Sequence, residues 1–405
     1  MRSAIRAQIL SMLVLTLALL PAFVTDERPP PTAPIFTPTG IHGDARDVIK
    51  LDLVGAGFAY PSAITSDGSD RIFVAEQIGR IRRIENGVAA SEPFLDITSR
   101  VFGYGELGLV GLAFHPEFRS NGRFYISYAD NERQTVLSEW TTDDGQSATM
   151  DSERIVLVIP HASLHHMSGN LVFGPDGFLY MGVGDDNRAG QEFSPDLNRL
   201  NGSIIRVDVD SRTGDLPYGI PPDNPFADGG GRPELYDIGL RNPWGISFDP
   251  FTGDMYFADP GGTNWEEVNR HEVDDPPGLN FGWGVMEGSH CRIDGCDQHG
   301  LVPPIAEYLG SGAGRGDCAI IGGLISRPPA RDIQNRYVFG DLCSGRIRSL
   351  DVESLSGELL LDTDLLISAF GMDETGSIYV GDHPTGRIYR IVDQHAGPEP
   401  SGSDP

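Results

Sequence analysis

The chain has almost no lysine. Lys50 is the only one in 405 residues, and arginine supplies the other 29 of the 30 basic side chains. Against them stand 58 Asp and Glu residues, for a formal net charge of −28. Such a surface repels nucleic acid and anionic membranes, which excludes both as partners of the folded part. Cysteine is scarce: Cys291, Cys296, Cys318 and Cys343 are the full set. An even number fits an oxidising compartment. Cys291 and Cys296 enclose a short Gly/Asp loop and are expected to pair, which leaves Cys318 and Cys343 as the second bridge. No Cys-x-x-Cys spacing is present, which argues against a zinc site. The apolar run Ile9 to Val24 is short for a membrane span. With Arg2 and Arg6 ahead of it, residues 1–24 read as an export signal or N-terminal anchor. Residues 25–50 form a Pro/Thr-rich linker, and 393–405 read as a disordered tail. Clear helical periodicity is absent as well.

What is abundant is turn-forming residues, with Gly 51 and Pro 30, and a repeat. A turn followed by an aromatic-apolar strand occurs six times. The copies are Ile72-Phe73-Val74-Ala75-Glu76, Phe124-Tyr125-Ile126-Ser127-Tyr128, Leu179-Tyr180-Met181-Gly182, Met255-Tyr256-Phe257-Ala258-Asp259, Tyr337-Val338-Phe339-Gly340-Asp341 and Ile378-Tyr379-Val380-Gly381-Asp382. Their central aromatics, Phe73, Tyr125, Tyr180, Tyr256, Tyr337 and Tyr379, are 52, 55, 76, 81 and 42 residues apart. Several copies run on into a second short strand, as in Gly79 to Ile84 and Gly386 to Ile391. Repeats of this size built of short strands suit four-stranded propeller blades better than a solenoid or a pair of sandwiches. The expectation is an all-β, six-bladed β-propeller over residues 51–392, with its central aromatics on equivalent strands.

Four segments carry chemistry. In the first, His165-His166 precedes a Gly174-Pro175-Asp176-Gly177 turn and a strand running toward Asp185. If the strands flanking that turn pair, His166 and Asp185 arrive at one end of a hairpin, as a base and its orienter. In the second, Arg241-Asn242-Pro243-Trp244-Gly245 offers a planar cation and a neutral donor. In the third, adjacent Gly261 and Gly262 let backbone carbonyls converge on a hard cation such as calcium, with Glu266 and Glu267 as acids for a second one. In the fourth, Glu106 stands at the mouth of the apolar strand Leu107 to Phe114.

Taken in order, these segments resemble the soluble pyrroloquinoline-quinone-dependent sugar dehydrogenases, the glucose/sorbosone dehydrogenase family. The resemblance runs from about Leu51 to Val392. Its most specific pieces are His166-Met167-Ser168-Gly169-x-Leu171, Phe173-Gly174-Pro175-Asp176-Gly177, Gly184-Asp185, Gly239-x-Arg241-Asn242-Pro243-x-Gly245 and Asn280-Phe281-Gly282-Trp283. The cysteine-bearing second half, Glu287-Gly288-x-His290-Cys291 and Phe339-Gly340-Asp341-x-Cys343-Ser344-Gly345, is similar to the propeller of hedgehog-interacting-protein-like proteins.

The resemblance implies an exported, secreted or periplasmic enzyme that oxidises the anomeric C1 hydroxyl of an aldose or oligosaccharide to a lactone. An external acceptor would take the electrons. It implies His166 as general base, Asp185 as its orienter and Arg241 as stabiliser of the quinone oxygen. Asn242 and Glu106 would belong to the cofactor site, and Gly261, Gly262 and Glu267 to calcium. The chain departs from the family in four places. Cys343 stands where a cofactor-binding Lys is expected, and Leu365 to Phe370 where an Arg pair is expected. Glu106 and Pro260 each replace a Gln. Arg315 and Arg327 are candidates to make up the missing cations. The alternative implied by these departures is a propeller that binds a glycan or protein without catalysis.

Overall fold

Short β-branched and aromatic segments, each ended by a turn, can bury both faces only if further sheets pack on either side. The computed structural model solves this with six antiparallel sheets arranged as propeller blades. It describes residues 35–36, 48–187, 195–310, 316–328, 330 and 332–394. Residues 1–24, where an export signal or anchor is expected, most of 25–50, Arg315 and the residues from 395 onward lie outside the described residues.

Blade 3 shows the pattern. Leu171–Phe173 is innermost, followed outward by Leu179–Val183, Ser203–Val207 and Leu235–Ile238. The other first strands are Pro61–Ser66, Leu109–Phe114, Trp244–Phe248, Ile320–Ser326 and Ile367–Met372. In blade 6 the outermost strand comes from the other end of the chain: Ile49–Gly55 pairs with Arg387–Asp393, Ile49 opposite Asp393. That pairing closes the ring and removes a free sheet edge. A two-residue strand, Ile35–Phe36, runs parallel to Ala306–Leu309 on blade 4. All six repeat aromatics lie on second strands, as the repeat predicts. Among the described residues the one helix is the single turn Phe118–Asn121, and none is long and apolar enough to cross a membrane.

The core is not one mass but six layers between neighbouring blades. Phe73 and Ile81 of blade 1 pack with Leu112 and Phe124 of blade 2. Tyr125 packs with Met181, Phe257 with Ile204, Tyr256 with Tyr337, Val338 with Val380, and Tyr379 with Val74. The second strands therefore read as continuous buried runs: Ile72–Glu76, Leu179–Val183 and Ile378–Asp382 are buried at every residue. Both expected disulfides are present, Cys291–Cys296 and Cys318–Cys343.

One device recurs at the end of the second strand. An acid there accepts the backbone amides of the loop entering the same blade. Glu76 takes Ala59 N at 2.7 Å, and Asp259 takes Arg241 N at 2.8 Å and Asn242 N at 2.6 Å. Asp341 takes Cys318 N at 3.0 Å, and Asp382 takes Leu366 N at 3.0 Å. These amides have no sheet partner, so the carboxylate satisfies groups that would otherwise be costly to bury. Blade 3 moves the task one residue on. There Asp186, wholly buried, takes Ala162 N and Ser163 N at 2.8 and 2.9 Å. The preceding acid, Asp185, is left free to face the mouth.

Candidate active site

The loops that enter each blade and the loops after each second strand all open on one end of the propeller. His166 lies in the loop entering blade 3, and Asp185 follows the second strand of that blade. The two strands pair antiparallel, Leu171 opposite Met181, so both residues reach the same end. His166 Nδ1 meets Asp185 Oδ1 at 2.6 Å. A carboxylate can only accept, so Nδ1 carries the proton and Nε2 carries the lone pair. Nε2 has no hydrogen-bond partner among the described residues and is not an enclosed atom.

Several contacts hold this pair. Asp185 Oδ2 accepts the Trp283 indole N–H at 2.7 Å, and Oδ1 also accepts Asn187 N at 2.8 Å. Burial pushes the Asp185 carboxyl up, but the hydrogen bond and charge of His166, with Asn187 and Trp283, hold it below its ordinary value. His166 sits at a φ of 55°, where a side chain is strained. Its amide is fixed by Glu106 Oε2 at 2.6 Å. The other Glu106 oxygen takes the exposed His165 ring at 3.1 Å. Glu106 thus braces the histidine loop with both oxygens. The strain at His166 is held by a carboxylate on its amide and another on its ring.

Arg241 and Asn242 come from the loop entering blade 4. The Arg241 carbonyl accepts Asp185 N at 2.7 Å, which ties the two loops together. The Arg241 Nη1 donates to the Pro260 carbonyl at 3.1 Å, and its guanidinium lies 5.5 Å from the Trp283 ring centre. Arg292 lies over the same ring at 4.6 Å. Among the described residues, neither guanidinium is paired with a carboxylate within salt-bridge distance. The Asn242 side-chain oxygen is buried without a hydrogen-bond partner among the described residues. Burial pushes Asp259, behind Arg241, up to about 7, against the pull of the two amides it holds and of Arg241.

Gly262 also belongs to this mouth. A β-carbon there would lie 2.9 Å from the Trp283 ring and 3.9 Å from Arg241 Nε. Gly261 adjoins Glu287, whose carboxylate gathers the amides of Thr263, Asn264 and Trp265 at 2.6–3.1 Å. Glu267 is set behind, buried beside Asp259, and takes Gly288 N at 2.6 Å. Among the described residues no group of three or more His, Cys, Asp and Glu side chains has metal-binding geometry.

Arg327 does not supply a missing cation. It follows the first strand of blade 5 and points to the opposite end, where it pairs with Asp249 at 3.0 Å beside a cavity of about 410 Å³. The reason is direction: first strands start at the mouth and end at the far side. Cys343 is closed in its disulfide, and Leu365 and Leu366 line the blade 6 margin, Leu366 at 40 % exposure. Sequence reasoning missed the roles of Trp283 and Arg292. Trp283 stood in a quoted motif, but only the fold brings it to Asp185, 98 residues away.

The sequence model of glucose/sorbosone dehydrogenases matches residues 58–397. The HIPL2 protein of Arabidopsis thaliana is 30 % identical over 73 % of this chain and 52 % of its own length. The human Hedgehog-interacting protein is 28 % identical over 81 % of this chain and 50 % of its own length. The chain therefore spans about half the length of the curated relatives it matches. A PQQ-bound aldose sugar dehydrogenase from Streptomyces coelicolor has a similar fold, with a TM-score of 0.67 and 21 % identity over 85 % of this chain and 97 % of its own.

Proposed function

The chain belongs to the glucose/sorbosone dehydrogenase family, and we propose that its mouth oxidises the anomeric C1 hydroxyl of an aldose to a lactone. The observation that carries this reading is the open Nε2 of His166, whose Nδ1 is locked on Asp185 at 2.6 Å. Nε2 takes the hydroxyl proton, and the imidazolium that forms is stabilised by the depressed carboxyl of Asp185. Trp283 and Asn187 keep that carboxylate from turning away. The electron pair left on the anomeric oxygen closes the C1=O double bond as C1 gives up its hydride, and the two electrons of that hydride leave through an external acceptor.

Pyrroloquinoline quinone, when bound, supplies the hydride acceptor. The residues present suit a planar anion on the blade 4 side: Arg241 and Arg292 flank an indole and lack carboxylate partners among the described residues. Arg241, Asn242 and Trp283 would hold the group, and Gly261, Gly262 and Glu267 would serve calcium beside it. Glu106, which holds His166 N, would border the group as well. The two disulfides support a place outside the cytoplasm. The test is to add the quinone and calcium to purified protein. Cofactor absorbance bands and dye reduction with aldoses are expected; neither appearing would end the reading.

A second reading, a propeller that binds without catalysis, is favoured by one observation. The blade 5 and 6 margin carries a disulfide and leucines where cofactor-binding cations are expected. Absence of quinone binding together with retained glycan or protein binding would select it.

The calcium assignment has its own check. Burial raises Asp259 to about 7 and Glu266 to about 8, and raises Glu267 well above its ordinary value. In the unfolded chain these acids ionise near pH ~4. Between there and about 8 the folded state holds more protons, so its stability falls as pH rises. Metal-free protein is expected to melt lower at pH ~8 than at pH ~5.5, and calcium to raise the midpoint more at the higher pH. A calcium effect independent of pH, or none, would remove Glu267 from the metal site.

A further inference from the structure

A separate group of side chains stands at the same end, at the seam of blades 6 and 1. Tyr60 precedes the first strand of blade 1. Its φ is 56° and it is 48 % exposed. A tyrosine in that region is strained, and here the ring gains no place in the core. Its carbonyl takes Gln77 N at 2.9 Å. Its ring lies 5.1 Å from that of His383, in the loop after the second strand of blade 6.

Gln77 decides the state of His383. The Gln77 amide nitrogen donates to the carbonyls of Gly105 and Leu107, at 2.7 and 2.8 Å. That fixes which end of the amide is oxygen. This Oε1 lies 3.2 Å from His383 Nε2, so Nε2 is the donor and Nδ1 bears the lone pair. Burial holds His383 below its ordinary pKa, against the nearby charge of Asp382, which favours the neutral ring. Nδ1 has no hydrogen-bond partner among the described residues and is not enclosed. The result is an exposed aromatic face beside an unused acceptor.

The loop that Gln77 holds is the one that braces the base. Glu106, between Gly105 and Leu107, takes His166 N at 2.6 Å. Tyr104, next in that loop, is 75 % exposed. A single loop therefore joins the Tyr60–His383 pair to His166. A pyranose ring has the matching chemistry. Its C–H face packs on an aromatic ring, and its hydroxyls donate to a neutral imidazole nitrogen.

We propose that Tyr60 and His383 form a second sugar-ring subsite, holding the unit next to the one whose C1 meets His166, so that the protein prefers oligosaccharides to free monosaccharides. This rests on the reading of His166 as the base acting on an aldose.

Calorimetric titration of the whole protein with cellobiose, maltose and glucose tests it. At least one disaccharide is expected to bind about tenfold more tightly than glucose. Tyr60→Ala and His383→Phe should each bring that ratio close to one, while Tyr60→Phe, which keeps the ring, should preserve it. Thermal melting identifies any variant that has lost its fold. The proposal is overturned if neither disaccharide exceeds glucose, or if folded Tyr60→Ala and His383→Phe keep the ratio. A Tyr60-dependent disaccharide preference in a protein that oxidises no aldose would uphold the subsite and remove the role given to His166.

Discussion

Replacing His166 with alanine is expected to lower dye-coupled aldose turnover by roughly a hundredfold to ten-thousandfold, the usual contribution of a positioned general base. His165→Ala should leave most of the turnover. The two histidines are adjacent but differ in what they touch. The His166 ring is buried against Asp185, with Nε2 open to the mouth. The His165 ring is 61 % exposed and, among the described residues, meets only Glu106. Losing it leaves the bond from His166 N to Glu106 in place. The measurement is turnover at saturating quinone and calcium, with quinone affinity read separately by titration. The loss should fall on turnover far more than on affinity if, as proposed, the imidazole acts on the substrate proton. Equal residual activity in the two variants would move the base elsewhere.

Gly184→Ala is expected to destabilise the protein by about 3 kcal/mol, at the upper end for overpacking a filled site, and to cost turnover as well. A β-carbon on Gly184 would collide with the His166 carbonyl oxygen and lie 2.6 Å from Asn242 Oδ1. Both neighbours belong to loops already pinned, so neither can retreat cheaply. Gly177→Ala is the comparison. There φ is 82° and nothing lies within 4 Å of the added carbon, so only the backbone penalty of about 1–2 kcal/mol applies. Denaturant midpoints of the two variants measure the difference. A Gly184→Ala protein as stable as Gly177→Ala would show that the His166 loop is looser than its contacts indicate.

The histidine–acid pair was readable because a tight turn separates two short strands, and a hairpin delivers residues before and after it to one end. The roles of the acids were less so. In sequence, Asp185 and Asp186 form an undivided pair, and Asp259 looks like another strand-ending acid. The fold separates them: Asp186 and Asp259 hold loop amides, while Asp185 serves His166. Arg327 was a reasonable candidate cation by residue type alone. Its position after a first strand sends it to the far end.

The sequence by itself determined the number of blades, their second strands and both cysteine pairs. Each of these depends on local pattern: an aromatic-apolar run, a turn and a short loop between cysteines. It also placed His166, Asp185, Arg241 and Asn242 at strand ends, where side chains are free of the sheet. Tertiary structure alone decided which of them touch. Trp283 reaches Asp185, Glu106 reaches His166, and Gln77 reaches His383 across 98, 60 and 306 residues. Closing six wedges around one axis brings loops from distant blades within hydrogen-bond range, and no spacing along the chain encodes that meeting.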